Sequence, residues 1–223
     1  MENKLIIAID GPGASGKSTV AKLVAKKLNL TYIDTGAMYR CLALYALRNN
    51  IDIKDSNALA KAAESIDIFL NNDDKVFLNQ EDVTNLIRGH EVTAIVSPVS
   101  APRVVREILV SKQRKLADES KNGVIMDGRD IGTVVLPHAN LKIYQIASSR
   151  VRAKRRFDEN ITKGLKEIPL DEIEKQINER DYLDMHKEYG SLKKAEDALE
   201  LDTTNLSINE VVNWICNKAK EVC

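Results

Sequence analysis

LIIAIDGPGASGKSTVAKLVAKKL, residues 5–28, carries the signature of the architecture. The opening apolar residues run into glycines, the pattern of a short strand buried on both faces of a parallel sheet. Beyond the glycines Val20, Leu23, Val24 and Leu28 recur at three- and four-residue steps, with Lys22, Lys26 and Lys27 on other faces, which predicts an amphipathic helix. Between strand and helix, Gly11, Pro12, Gly13, Ala14, Ser15, Gly16, Lys17 and Ser18 fit G-x-x-x-x-G-K-[ST] at every fixed position, with Thr19 next. Glycines let backbone N–H groups converge on phosphate oxygens, and a helix N-terminus adds about half a positive charge. Lys17 supplies a formal charge to β and γ phosphates, and the Ser18 hydroxyl can ligate a magnesium ion that bridges them. A merely tight strand-to-helix turn has no need of Lys17 and Ser18 at those offsets.

Outward from this stretch, TYID at 31–34 reads as a second strand, and Met38, Cys41, Leu42 and Tyr45 mark another helix. The order β-α-β-α implies an α/β fold whose parallel sheet is flanked by helices through right-handed crossovers. Between about 66 and 84, IDIFL, a polar NNDDK turn, VFLN and QEDVT predict short antiparallel pieces, a small inserted subdomain. A helix from about Arg103 to Asp118 follows Pro102, and GVIMD at 123–127 and LKIYQI at 141–146 restore the buried-strand pattern. Residues 149–166 are rich in Arg and Lys, 170–184 are strongly charged, and 208–222 predict a closing helix that holds Trp214.

Composition narrows the class. Of 223 residues, 43% are hydrophobic and 30% charged, which excludes global disorder. Lys plus Arg total 33 and so do Asp plus Glu, so no overall positive field exists to hold a nucleic-acid polymer. Any anion must be gripped by a local cluster. No apolar stretch approaches the ~20 residues of a bilayer span, and the start of the chain does not read as a signal peptide, so the expected location is the cytoplasm. Cys41, Cys216 and Cys223 are widely spaced and read as reduced thiols, and the scattered His90, His138 and His186 match no zinc spacing.

Several further segments carry phosphate chemistry. Thr35-Gly-Ala-Met-Tyr-Arg40 follows the second strand and suits an acceptor site: Thr35 can bond a phosphate at a helix start, and Arg40 offers a planar fork. Asp127-Gly-Arg-Asp130 ends the third core strand, a place for a magnesium-shell carboxylate at Asp127, with Arg129 directed at transferring phosphates. Asp34 also ends a core strand and is a second candidate for that shell. Arg152, Arg155 and Arg156 share one helical face that can close over a nucleotide as a lid, although such runs are most often solvated surface. Arg180 and Asp184, one helical turn apart, can hold a ribose hydroxyl or merely each other. A guanine-reading N-K-x-D is missing, since Asn217-Lys218 runs into Ala219-Lys220, and no L-S-G-G-Q occurs. These absences disfavour a switch GTPase and a transporter ATPase.

GPGASGKST, DTGAMYR, DGRDIGTVV, ERDYLD and LDTTNLS together closely resemble the bacterial cytidylate kinases, within the nucleoside monophosphate kinase family, over about residues 5–215. The resemblance implies a single P-loop kinase domain over 1–223, an inserted NMP-binding subdomain at about 65–100 and a lid at about 149–187. It implies transfer from ATP to CMP or dCMP, with magnesium, by a monomer. By position Thr35, Tyr39, Arg40 and Arg129 would hold the CMP phosphate. Ser97, Arg106 and Asp130 would read cytosine, and Arg180 and Asp184 would hold the sugar. Lys17, Arg129, Arg155, Arg156 and Lys187 would serve the transferring phosphoryl group. One departure stands out: the family usually has arginine where this chain has Lys187, so the charge survives and the bidentate fork does not. At this point a related kinase acting on UMP or another small acceptor stays open, as does an ATP-binding module without catalysis.

Overall fold

The computed structural model describes residues 4–71, 75–162, 164 and 168–222. Part of the expected NNDDK turn, four positions of the expected lid (163 and 165–167) and Cys223 lie outside the described residues. In chain order the first half holds β1 (Ile6–Asp10), α1 (Lys17–Leu28), β2 (Thr31–Asp34), α2 (Thr35–Arg48), α3 (Ser56–Ser65), β3 (Ile68–Leu70), β4 (Val76–Leu78), β5 (Glu81–Asp82) and α4 (His90–Val99). The rest holds α5 (Arg103–Glu119), β6 (Val124–Gly128), β7 (Leu141–Ile146), α6 (Ser149–Thr162), α7 (Leu170–Met185), β8 (Leu199–Asp202) and α8 (Ile208–Glu221). A 3₁₀ turn covers Leu86–Arg88 and a π-helical turn covers Ile131–Val135.

The chain divides into two compact units, Met1–Leu30 with Asn122–Cys223, and Thr31–Lys121. In the first, four parallel strands lie in the order β6-β1-β7-β8. Ile7, Ile9, Ile125, Met126 and Ile143 are fully buried, which is why these strands read as continuous apolar runs. Register sets the site: Asp10 at the end of β1 stands opposite Gly128 on one side and Tyr144 on the other. The loops after β1 and β6 therefore leave the same edge of the sheet together. Helix α1 packs on α8, whose start carries a capping box between Ser207 and Glu210. Helices α6 and α7 pack on each other.

The second unit has its own core, built from Met38 and Leu42 of α2, Leu59 of α3, Ile68, Leu78 and Leu109. Strands β3, β4 and β5 form the expected antiparallel sheet, with Ile68 opposite Leu78 and Phe69 opposite Phe77. The period-2 alternation shows plainly, since Ile68 is buried and Phe69 exposed. Two helices go beyond the sequence expectations. Asp55 caps α3 through Asn57 N and Ala58 N, and α4 includes Pro98 in its last turn.

Candidate active site

The P-loop conformation is fixed by close approach. A Cβ on Gly11 would lie 2.0 Å from the Gln145 carbonyl oxygen of β7, so only glycine fits there. Ala14 and Gly16 both take positive φ, 57° and 89°, turning the chain so that Lys17 opens α1. The Lys17 ammonium is buried and donates to the Pro12 carbonyl at 2.7 Å and to Ser15 Oγ at 3.3 Å. Ser18 Oγ donates to Asp127 Oδ2 at 2.8 Å, which joins the first turn of α1 to the end of β6. Thr19 faces solvent.

Three arginines of the first unit, Arg129, Arg152 and Arg155, approach this loop, and two further cations gather on the Asp184 carboxylate that holds Arg129. Arg129 Nη2 lies 3.5 Å from where a Gly13 Cβ would be, and its Nε donates to Asp184 Oδ2 at 2.8 Å. Lys187 Nζ reaches Asp184 Oδ1 at 2.7 Å, while Arg180 Nε stands 3.9 Å from the same carboxylate. Arg152 Nη1 donates to the Gly13 carbonyl at 3.0 Å, and Arg155 Nη1 donates to the Ser15 carbonyl at 3.0 Å and binds Thr203 through its other nitrogen. Helix α6 thus grips the backbone of the P-loop through two of the three residues of its basic face. Arg156, the third, is half-exposed and pairs with Glu159 at 3.7 Å. Asp130 is buried at the start of the π-helical turn.

The remaining candidates lie in the second unit. Asp34 accepts from Ala37 N at 2.9 Å as the cap of α2 and pairs with Arg88 at 3.2 Å. Thr35 is buried in the first turn of α2. Arg40 donates to the Ile87 carbonyl at 3.1 Å and to Thr93 Oγ1 at 2.9 Å. Arg106 is buried with its guanidinium 5.1 Å from the centre of the Tyr39 ring, a cation–π contact, and Ser97 sits half-buried in α4.

Burial and charge set the proton affinities. Burial, then the Arg129 cation, lowers Lys17 to about 7. Burial raises Asp10 to about 6 against the amides of Gly132 and Ile131, which stabilise its anion. Burial also pushes Asp184 up, but Arg129 and Lys187 outweigh it and hold the carboxyl well below the usual range. Burial and then Arg129 lower Arg180 to about 10. In the second unit burial, with Asp34 adding, pushes the Cys41 thiol up to about 12, which leaves it unreactive.

Three residues of this site carry roles the sequence did not assign. Gln145 donates from Nε2 to the Ser15 carbonyl at 2.7 Å, and a glutamine inside LKIYQI was the signal for it. Asp181 Oδ2 pairs with Arg152 at 2.6 Å, and Oδ1 accepts from Gly13 N at 3.3 Å. Asp10 binds the turn after β6 and has no motif of its own.

A phosphate loop of this form at the end of a parallel strand, with a Ser–Asp pair and converging arginines, defines a P-loop kinase. The model of the family described as Cytidylate kinase matches residues 7–221. The chain belongs to the cytidylate kinase family. The cytidylate kinase of Fusobacterium nucleatum is 50% identical over 222 residues, covering 100% of both chains. That of Bacillus subtilis is 49% identical over 224 residues, covering 99% of each. Among solved structures, a gluconokinase from Sinorhizobium meliloti shares the fold with a TM-score of 0.51 at 11% identity, over 97% of this chain and 92% of that one.

Proposed function

We propose that this chain transfers the γ-phosphoryl group of ATP to CMP or dCMP, giving ADP and CDP or dCDP. The observation that carries the reading is the Arg129 guanidinium, set beside Gly13 of the P-loop and fastened to Asp184. Phosphoryl transfer passes through a loose transition state, so positioning and charge neutralisation supply the catalysis and no covalent nucleophile is needed. Backbone amides of residues 13–18 cradle the ATP phosphates, and Lys17 swings from the Pro12 carbonyl to the β and γ oxygens. Arg129 bridges donor and acceptor phosphates, with Arg155, Arg156 and Lys187 adding charge around the transferring group.

Magnesium fits the residues present. Ser18 Oγ and the Asp127 carboxylate meet at 2.8 Å, the donor set that a hard, oxygen-seeking cation uses beside nucleotide phosphates. Bound there, the ion would neutralise charge on the β and γ oxygens. Asp34 contributes to a water shell only by leaving its cap and its Arg88 pair.

On the acceptor, Thr35, Tyr39, Arg40 and Arg129 serve the phosphate, and Arg180 and Asp184 the sugar. Asp130 accepts from the cytosine amine, with Ser97 and Arg106 completing the base site. No helix of the described residues is long and apolar enough to cross a membrane, and a monomer in the cytoplasm fits the reading.

ADP formation from Mg-ATP with CMP, dCMP, UMP, AMP, GMP or no acceptor tests it. Fast turnover with CMP and dCMP and little without acceptor is the expected result. Equal low rates with every acceptor would overturn it.

A further inference from the structure

Asp10 is the last residue of β1 and only 4% exposed. Its two carboxylate oxygens accept from two successive amides of another segment, Ile131 N and Gly132 N, each at 2.7 Å. Those amides open the π-helical turn Ile131–Val135, and the first N–H groups of any helical turn lack acceptors within it. Asp130, at the cap position, makes no side-chain cap bond of its own among the described residues. The cap comes instead from the neighbouring strand.

The turn is fixed on its other sides too. The Asp130 carbonyl accepts from Val134 N at 2.8 Å and Val135 N at 3.1 Å. A Cβ on Gly132 would lie 3.1 Å from Lys142 Cδ, and Lys142 is itself tied to Asp197 at 2.7 and 2.9 Å. The segment that carries Arg129 and Asp130 is thus clamped between β6 before it and Asp10 after it.

We propose that Asp10 is a positioning residue for acceptor recognition: by holding the Ile131 and Gly132 amides it sets the direction in which Arg129 and Asp130 are presented. The next residue after Asp10 is Gly11, so one side chain ties the acceptor-reading turn to the start of the phosphate loop. Only a carboxylate does this. Asparagine at the same place would offer one oxygen to one amide and set its NH₂ against the other. The inference rests on the reading of Arg129 and Asp130 as acceptor-binding residues.

The test compares Asp10→Asn and Asp130→Asn with the unaltered protein in KM for CMP, KM for ATP and the ratio of kcat/KM between CMP and UMP. Asp10→Asn is expected to raise KM for CMP by about tenfold, the consequence of one buried amide left unpaired, and to shrink the CMP-to-UMP ratio while moving KM for ATP far less. A loss shared equally by both substrates would overturn the inference, since Asp10 would then act on the phosphate loop. If Asp130→Asn erodes the CMP-to-UMP ratio and Asp10→Asn does not, the positioning role fails while the base reading stands. If Asp130→Asn leaves that ratio unchanged, the base reading fails and takes the inference with it. Amide exchange in the unaltered protein covers an Asp10 variant that does not fold. Slow exchange at Ile131 and Gly132 without nucleotide is expected, and fast exchange that slows only on CMP addition would show that the ligand, not Asp10, orders the turn.

Discussion

Arg152 and Asp181 form a buried ion pair, 2.6 Å between Nη1 and Oδ2, and both also bind Gly13, through its carbonyl and its amide respectively. Two helices, α6 and α7, are thereby fastened to one residue of the phosphate loop. The pair's side chains are 7% and 10% exposed, so neither charge finds much water if its partner is lost. Arg152→Met is expected to lower the free energy of unfolding in urea by ~3 kcal/mol, the scale for a buried charge left uncompensated. It is also expected to raise KM for ATP, because the Gly13 carbonyl loses its donor. The Arg152→Met, Asp181→Asn double variant should recover part of the stability without recovering KM. Additive losses in stability would show that the two side chains are not coupled.

Lys17 is held at a cost to the fold. Its ammonium is buried, and burial followed by the Arg129 charge brings its proton affinity down to about 7 from 10.5. Between these values the unfolded chain binds a proton that the folded chain does not, so this residue's contribution to stability rises with pH from about 7 to 10.5. At pH 7 and below the charged form weighs against folding. Lys17→Met is therefore expected to raise the melting temperature at pH 7 while removing the kinase activity, and to reduce the gain in stability seen between neutral and alkaline pH. A melting temperature that falls would show that attraction to Asp127, Asp10 and Asp181 outweighs the burial.

Asp184 works in the opposite direction. Burial raises its proton affinity, but the Arg129 and Lys187 cations more than reverse this, so its folded value lies below the ordinary 3.8. Its contribution to stability is present above that ordinary value and is lost as pH falls through the folded one. Asp184→Asn is expected to cost ~3 kcal/mol at pH 7, because Arg129 and Lys187 lose the carboxylate that joins them, and to flatten the acid limb of the stability profile. Denaturation at pH 7 and pH 3 measures both effects; a variant with an unchanged acid limb would show that other carboxylates control it.

The phosphate loop was legible because its chemistry demands fixed residue types at fixed offsets, and local sequence determines a strand, a tight turn and a helix start. Asp127 was legible for a related reason, since a parallel strand brings its last residue to the same edge as the loop after β1. The direct partners of Arg129 were not. Arg129 meets Asp184 across 55 positions, and the sequence offered Asp184 only a partner one turn away, Arg180, which stands farther off at 3.9 Å. Asp10 was missed because its role depends on strand register: nothing local tells an aspartate ending a buried strand that two amides wait opposite it. The short helix α4 was missed because Pro98 argues against a helix, and the structure accommodates it in the last turn.

Residue 187, which the family resemblance leads one to expect as arginine, is a lysine held against Asp184. The ammonium sits one turn beyond Asp184 and donates to Oδ1 at 2.7 Å, while the other oxygen of the same carboxylate serves Arg129 at 2.8 Å. Asp184 therefore offers one oxygen to Lys187 and the other to Arg129. An arginine at 187 would keep the charge, bond Asp184 through one nitrogen and retain a second edge of its fork for a phosphoryl oxygen. Lys187→Arg is expected to keep or raise kcat by a few-fold with KM for CMP nearly unchanged, whereas Lys187→Met should lower kcat by about tenfold or more, since one charge near the transferring group disappears. Single-turnover rates for the three proteins at saturating ATP and CMP make the comparison. A large loss in Lys187→Arg would show that this site is fitted to the compact ammonium, and an unaffected Lys187→Met would remove residue 187 from the chemistry altogether.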